Sequence, residues 1–567
     1  MNHEAAGGSA DERQYIFERN LLSLSRYDPE LCSRLTVSES TRGCYKILES
    51  RAGIPVPAVV DPSGKSHPLH SIVDPVREGS RLISTLEDEG FLVFLGLGGG
   101  YHIEAALGQR NIRHLLIIDY NIHSMTELLA SKDYVPIFND SRVRLMIDPS
   151  PETVEQYILD RYKPVLFGGI RVMPLRTRVE FDQQNFAETV EAIKKAVDGV
   201  SADYSVQAFF GKRWLSNILR NIHNAEGRQE LFPGIKRAAV IAAGPSLEAQ
   251  LPELHENRKN LFILAADTAI PVLVSAGITP DAAVSIDCQH ISYYHFMGGI
   301  PRDMPLFLDI ASPPLLSSLS GNVRFFSSGH PLARYVSRHW RSLPAIDTSG
   351  GNVTYAAVSL ADYLGASEIF LYGADFSYPR GKTYARGTYI YPYFDIRQNR
   401  FSPEESLFSA FLYRNTSLEK TAAGDSWYYE TPTLRMYRER LEAKALRMAA
   451  RLKSVPGMGA PVRPVRSAPE VPGGNSIHTF AAGPARMSAG EFLDHYREAV
   501  LALPPITGEI AGNLSLLPES GLEILLTLLP AGAAMKRRHP DWDTERLFSA
   551  VKQETDGIIR RITAPRG

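Results

Sequence analysis

Two apolar rhythms alternate along this chain. Short unbroken apolar runs that end in glycine or aspartate predict buried strands of a parallel sheet, and apolar residues three or four apart predict amphipathic helices. Residues 91–95 form the first clear strand, followed by Gly96-Leu97-Gly98-Gly99-Gly100. A helix to about residue 107 and a second strand over 115–118, ending in Asp119, complete a βαβ unit. The segment 141–169 adds pieces at 144–147, 154–159 and 165–167. Residues 178–225 read as mostly helical, with Phe186, Val190, Ile193 and Val197 on one face.

A second α/β region runs from about 235 to about 394. Its predicted strands are 238–242, 262–266, 282–286, 306–308, 323–326 and 369–372, with a helix over 353–363 before the last. Three of these strands end in succession at Gly244-Pro245-Ser246, Asp267 and Asp287, about twenty residues apart, the length of one strand-plus-helix step. Polar groups therefore gather at strand C-terminal ends, where open α/β sheets bind ligands. After Ser402 helical patterns return, notably over 433–453. The stretch 456–472 is rich in Pro, Gly and Arg and reads as a loop, and 488–567 reads as helical, with Leu522, Leu525, Leu526 and Leu529 in one stripe. No short-period repeat is evident, so a solenoid is not expected. Residues 1–10 read as a frayed tail.

Composition narrows the class. A chain of 567 residues exceeds what one core serves. The expected division is an N-terminal α/β domain over 1–200, a central domain over 201–430, and a helical region over 431–567 with a Pro/Gly-rich loop at 455–487. Hydrophobic content of 44% and charged content of 22% fit an ordinary soluble domain, and a net charge of −2 argues against bulk nucleic-acid binding. Cys32, Cys44 and Cys288 lack metal-ligand spacing and are expected as plain thiols of a reducing compartment. The first residues are polar and acidic rather than signal-like, and no segment has the ~20 apolar residues of a membrane span. A cytoplasmic setting is the expectation.

Gly96-x-Gly98-x-Gly100 with Asp119 resembles the Rossmann-type turn of S-adenosylmethionine-dependent methyltransferases; the plain alternative is a structural turn with no ligand. Gly244-Pro245-Ser246 can hold a phosphate at a helix start, or act as an ordinary cap. Asp347-Thr348-Ser349-Gly350-Gly351-Asn352 is a second such turn, and Gly373-Ala374-Asp375 ends another strand. Beyond it Tyr378, Tyr384, Tyr389, Tyr391 and Tyr393 interleave with Lys382 and Arg386, which suits stacking on a base or sugar and donation to phosphate. His290 and His295 lack matching ligands, so no metal site is expected there. Lys536-Arg537-Arg538-His539 reads as a solvated helix end. Walker, His-Glu-x-x-His and Gly-x-Ser-x-Gly motifs do not occur.

Together these residues resemble the motility-associated factor (Maf) flagellin glycosyltransferases. The resemblance rests on His70-Ser71-x-x-Asp74-Pro75-x-x-Glu78 and the Gly96–Gly100 turn. It continues through Phe210-Gly211-Lys212-x-Trp214-x-x-Asn217, Gly244-Pro245-Ser246-Leu247 and Ala276-Gly277-Ile278-x-Pro280-Asp281 with Asp287. Thr348-Ser349-Gly350-Gly351 and Tyr372-Gly373-Ala374-Asp375 complete it, with a looser match over 431–439. It implies a Rossmann-like N-terminal domain, a central Rossmann-like domain of sialyltransferase type (GT-A-like), and a helical C-terminal region. The implied reaction moves a nonulosonic acid, pseudaminic or legionaminic, from its CMP-activated donor to Ser or Thr of flagellin. No metal and no tightly bound cofactor are implied, nor is a nucleic-acid or membrane partner. The central domain is also similar to 6-hydroxymethylpterin diphosphokinase, which would use ATP and Mg²⁺ with Asp267, Asp287 and Asp375 as ligands. A catalytically weak flagellin-binding scaffold is the third reading.

By analogy with the sialyltransferases, Gly244, Pro245 and Ser246 would lie beside the nucleotide phosphate and ribose. Asp267 and Asp287 would line the donor pocket, with Gly373 beside them, and Thr348, Ser349 and Gly350 would contact the cytidine or ribose. Tyr384 and Tyr389 would hydrogen-bond the departing phosphate. Sialyltransferases use a histidine base beyond the strand that Asp375 ends, and here none follows until His478. Asp375 and Asp287 are the candidate bases, each needing its carboxylate tuned upward from pH ~4.

Overall fold

The computed structural model describes residues 10–38, 44–228, 231–414, 417–424, 426–463 and 479–564. Residues 1–9 of the tail expected over 1–10, and loop residues 464–478, including His478, lie outside the described residues, while Ala10 begins a helix. The chain divides into two compact units. One holds the residues up to Gly211 with 503–522 and 532–551; the other holds 212–502, 523–531 and 552–567.

The first unit begins with an antiparallel sheet of β1 (Tyr45–Glu49), β2 (Pro55–Val60) and β3 (Ser66–Pro68). A parallel sheet follows, built from β4 (Glu89–Leu95), β5 (His114–Asp119), β6 (Val143–Ile147) and β7 (Gly169–Pro174), in the order β6-β5-β4-β7. The inner strands β4 and β5 are buried on both faces, which is why they read as unbroken apolar runs. β7 is absent from the sequence reading for the opposite reason: it is an edge strand that exposes Arg171 and Pro174 and buries only Met173.

The second unit carries a parallel sheet of seven strands. They are β8 (Arg237–Ile241), β9 (Phe262–Ala266), β10 (Ala282–Ser285), β11 (Leu306–Asp309), β12 (Val323–Phe326), β13 (Glu368–Tyr372) and, after a small antiparallel sheet of β14 (Tyr378–Pro379), β15 (Glu419–Ala423) and β16 (Ser426–Glu430), β17 (Arg451–Ser454). The order is β12-β11-β10-β9-β8-β13-β17. Chain growth thus proceeds outward from β8 to β12, then returns to the other side of β8. The point between β8 and β13 is the topological switch, where doubly wound sheets open a crevice. Val240, Leu264, Val284, Phe307, Leu360 and Leu371 form its core.

Two boundaries differ from expectation. The helix predicted over 433–453 ends at Ala445, and residues 451–454 pair in parallel with β13 instead. Residues 431–502 therefore belong to the second unit, because their strand extends its sheet. Position 200 falls inside one continuous helix, Gln183–Ala225, and the division comes at Gly211. The C-terminal region is helical as expected, with helices Ala489–Ala502, Glu519–Arg538 and Thr544–Thr563, and Leu525 and Leu529 are buried packing residues. Among the described residues no helix is long and apolar enough to cross a membrane.

Candidate active site

Both parallel sheets place a glycine-rich turn at their switch point, and in both the turn is filled by the protein's own side chains. In the first unit Gly96, Gly98 and Gly100 all take positive φ. The Gly99 N–H donates to His70 Nε2 at 2.8 Å, Tyr134 donates to the Gly98 carbonyl at 2.6 Å, and Lys132 donates to the Gly99 carbonyl. Asp119 is wholly buried. It accepts the Leu97 and Tyr120 N–H groups and Arg178 Nε, each at 2.8 Å. Held by these three donors and wholly buried, Asp119 braces the turn from within. The His70-to-Glu78 motif belongs to the same lock: His70 Nδ1 faces Glu78 at 3.5 Å, and Asp74 caps the helix Pro75–Ile83.

In the second unit the turn Gly244-Pro245-Ser246 meets the end of β13. The Ser246 N–H donates to Asp375 Oδ2 at 2.9 Å and its hydroxyl donates to Asp375 Oδ1. The Gly244 N–H bonds the Gly373 carbonyl at 2.8 Å. A side chain at Gly244 would collide with Asp375 and that carbonyl, so the close approach requires glycine. Residues 457–460 cover both: Met458 N–H donates to Ser246 Oγ at 2.7 Å and Ala460 N–H to the Asp375 carbonyl at 2.9 Å. Ser246 and Asp375 are 2% and 5% exposed. Ser246, expected beside a phosphate, thus lies buried under chain, and Asp375, expected as a base, is hydrogen-bonded to it. Burial raises its carboxyl above the usual range, against the Ser246 donors.

The Asp347 turn is likewise organised from within. Asp347 accepts the Ser349 N–H at 3.0 Å, the Tyr355 hydroxyl at 2.7 Å and Lys444 Nζ at 3.0 Å, while Asn352 caps the helix Val353–Tyr363. Gly350 lies against the Tyr355 ring. Ser349 and Thr348 stand at the start of that helix, partly or fully open to solvent.

Chemistry concentrates instead over β9 and β10. Asp267, fully buried, accepts the Thr268 N–H at 2.7 Å and the Ser285 hydroxyl at 2.6 Å. His295 Nδ1 lies 3.2 Å from Asp267 Oδ2. The His295 ring meets the Tyr389 ring at 4.6 Å between centroids, and Tyr389 meets Tyr384 at 6.4 Å. Burial disfavours the imidazolium, but Asp267 and then Asp287 outweigh it and hold the histidine pKa above its usual value. Burial also raises Asp287; the Gln289 N–H opposes this and the Asp267 charge adds to it. Tyr384 and Tyr389 are pushed upward mainly by burial, so both phenols stay protonated and can donate.

The tyrosine loop is held over the sheet by the Ala385 N–H on the Ala243 carbonyl at 2.9 Å and by Lys382 on Glu248 at 2.5 Å. Thr383 and Thr388 hydroxyls are buried in it without a hydrogen-bond partner among the described residues. From beneath, the helix Gln183–Ala225 buttresses the loops after β10 and β11. Asn217 Nδ2 donates to the Cys288 and Ala311 carbonyls at 3.1 and 2.8 Å, and Asn221 Nδ2 to Ile310 and Ser312 at 2.9 and 2.8 Å. The Trp214 ring, on the same helix, meets the His330 ring tilted at 32° with centroids 4.2 Å apart, and His330 Nε2 faces the strand-end carboxylate Asp309 at 3.9 Å.

The structure thus brings Asp267, Asp287, Tyr384 and Tyr389 into one neighbourhood, and Gly244, Ser246, Gly373 and Asp375 into another. His295 and Asp309 are the residues that sequence reasoning missed. The sequence signal for His295 is that it follows Asp287 in the loop after β10, the strand adjacent to the one Asp267 ends. Among the described residues no group of three or more His, Cys, Asp or Glu side chains is arranged to hold a metal ion.

Residues 212–381 match the family described as 6-hydroxymethylpterin diphosphokinase MptE-like. Several uncharacterized proteins of Treponema pallidum (strain Nichols) are similar. One is 32% identical over 181 residues, 31% of this chain and 84% of its own length. A second is 38% identical over 138 residues, 24% of this chain and about half (49%) of its own, and another is 23% identical over 290 residues, 50% of this chain and 62% of its own. Among solved structures, a MAf glycosyltransferase from Magnetospirillum magneticum AMB-1 has the same fold. It superposes with a TM-score of 0.57 over 97% of this chain and 96% of that one, at 15% identity.

Proposed function

The chain belongs to the MptE-like family through residues 212–381 and takes the fold of a Maf glycosyltransferase along its length, and on that premise we propose that it is a Maf-type glycosyltransferase. In this reading the donor is a CMP-activated nonulosonic acid, pseudaminic or legionaminic, and the acceptor is a Ser or Thr hydroxyl of flagellin in the cytoplasm. The observation that carries it is the Asp267–His295 contact with Tyr389 packed on the imidazole, over the ends of adjacent parallel strands.

Such a cluster suits transfer from a sugar phosphate. The two protonated phenols can donate to a phosphate whose charge grows as the glycosidic bond breaks, and interactions that strengthen only then accelerate the step. A hydroxyl-rich sugar would also give partners to the buried Thr383 and Thr388 hydroxyls, since an unpaired buried hydroxyl costs about 1–3 kcal/mol. The turn Thr348-Ser349-Gly350 would contact the cytidine or ribose.

The family description favours a second reading, an ATP- and Mg²⁺-dependent pterin diphosphokinase. Against it, Asp375 is engaged with Ser246 and Asp267 with His295, so the three carboxylates do not converge on one cation. A thermal-shift panel separates the readings, because a ligand bound only by the native state raises the melting temperature. Stabilisation by CMP without metal, and a nonulosonic-acid mass increment on co-expressed flagellin, are the expected results. Stabilisation by ATP with Mg²⁺ alone would overturn the proposal, and binding of flagellin with no response to any nucleotide would favour a scaffold.

A further inference from the structure

We infer that His295, oriented by Asp267, is the general base that removes the proton from the acceptor hydroxyl. The assignment rests on the glycosyltransferase reading and supplies its acceptor side. Nδ1 of His295 faces the Asp267 carboxylate at 3.2 Å, and that carboxylate is itself pinned by the Thr268 N–H and the Ser285 hydroxyl. Nδ1 is buried and makes no aligned hydrogen bond, so it is the negative charge of Asp267 beside it that favours a proton there and leaves the lone pair on Nε2. Asp267 also stabilises the imidazolium once formed.

The other candidate bases are less suited. Asp375 is occupied by Ser246 and covered by residues 457–460. Asp287 accepts the Gln289 N–H at 2.9 Å, and a carboxylate matches a hydroxyl proton near neutral pH less well than an imidazole does. The groups facing His295 are Asp267 from the end of β9, Asp287 from its own loop, and Tyr389 with Tyr384 behind it from the loop after β13. The clamp of Asn217 on the Cys288 carbonyl holds the start of the histidine loop, so the base is preorganised.

In the step, the hydroxyl proton passes to His295 Nε2 as the acceptor oxygen bonds the anomeric carbon. The bond from that carbon to the phosphate oxygen breaks, its electron pair leaves with CMP, and the imidazolium later releases its proton to water.

The test uses the full chain with purified flagellin and CMP-pseudaminic or CMP-legionaminic acid, transfer being read by intact mass from pH 5.5 to 9. His295→Gln should lower kcat by about 10²–10⁴-fold and abolish the acidic limb of the pH profile, while the CMP-induced thermal shift persists. In the wild type that limb should lie above the ordinary imidazole value of ~6.5, since the base must be neutral to act. Asp267→Asn should move it to lower pH, and added imidazole should restore at least part of the rate of His295→Ala. These last two measurements decide the matter should His295→Gln fail to fold. A His295→Gln enzyme with wild-type kcat and an unchanged limb overturns the assignment alone. A wild-type chain that transfers neither sugar and does not respond to CMP overturns the glycosyltransferase reading, and the assignment with it.

Discussion

Ser246 and Asp375 stand at the ends of two neighbouring parallel strands and fasten them together, the serine donating both its N–H and its hydroxyl to the aspartate. The same hydroxyl accepts the Met458 N–H, so one small side chain joins three segments of the sheet edge. Ser246→Ala removes a donor from a buried carboxylate and orphans a backbone N–H. A loss of about 1–3 kcal/mol is expected, read as a lower urea midpoint, with the CMP thermal shift retained. A midpoint equal to wild type would show that the contact does not hold the edge.

Arg178 and Asp119 make the corresponding tie in the first unit, at 2.8 Å and nearly free of solvent. Removing the arginine alone leaves a buried carboxylate without its counter-ion, and Arg178→Leu should cost about 3–5 kcal/mol. Asp119→Asn combined with Arg178→Leu should recover part of that loss. Strict additivity in the double-mutant cycle would refute the coupling.

His114 gives the first unit a built-in acid sensitivity. Burial in β5, with Arg144 and Arg161 nearby, lowers its pKa to about 3, so it folds neutral. Its unfolded value is ~6.5, and each unit of difference is worth about 1.4 kcal/mol. The unfolded chain therefore binds the extra proton between pH ~6.5 and about 3; stability is full above that window and falls as pH drops through it. His114→Gln cannot protonate and leaves an amide for the Tyr157 hydroxyl, which lies 2.9 Å from Nε2. Its melting temperature should change less than wild type between pH 7 and 5. Equal slopes would contradict the buried neutral imidazole.

Asn217 reaches two loop carbonyls with one amide nitrogen. Asn217→Ala should loosen the loop that carries Asp287 and His295 without touching either. Given the sensitivity of catalysis to ångström displacements, kcat should fall by roughly tenfold to a hundredfold, with the CMP thermal shift little changed. A loss confined to KM would mean that the clamp shapes donor binding instead.

The inner strands were legible because burial on both faces demands unbroken apolar runs, as in 91–95 and 238–242. β7 and β17 were not, for one reason: both lie at sheet edges, and Arg-Leu-Lys-Ser carries a single buried apolar side chain. Edge strands with charged residues are common protection against pairing with other chains, and they erase the pattern that strand prediction uses. The candidate site divided in the same way. Asp267 and Asp287 were found because strand-end carboxylates are marked by the runs before them. His295 was passed over because ligand spacing was the only pattern asked of it.

By itself, then, the sequence determined the parallel α/β architecture, the helical C-terminal region and the glycine-bearing turns at strand C-terminal ends, since periodicity and turn chemistry are local. Only the tertiary structure decided what those turns meet. Asp119 meets Arg178 across 59 positions and Asp375 meets Ser246 across 129, and these contacts close both turns from within. His295 meets Asp267 because adjacent parallel strands bring their C-terminal loops to one edge. Occupancy of a lone pair and the partner of an imidazole are long-range facts, and they exist only once the sheet has assembled.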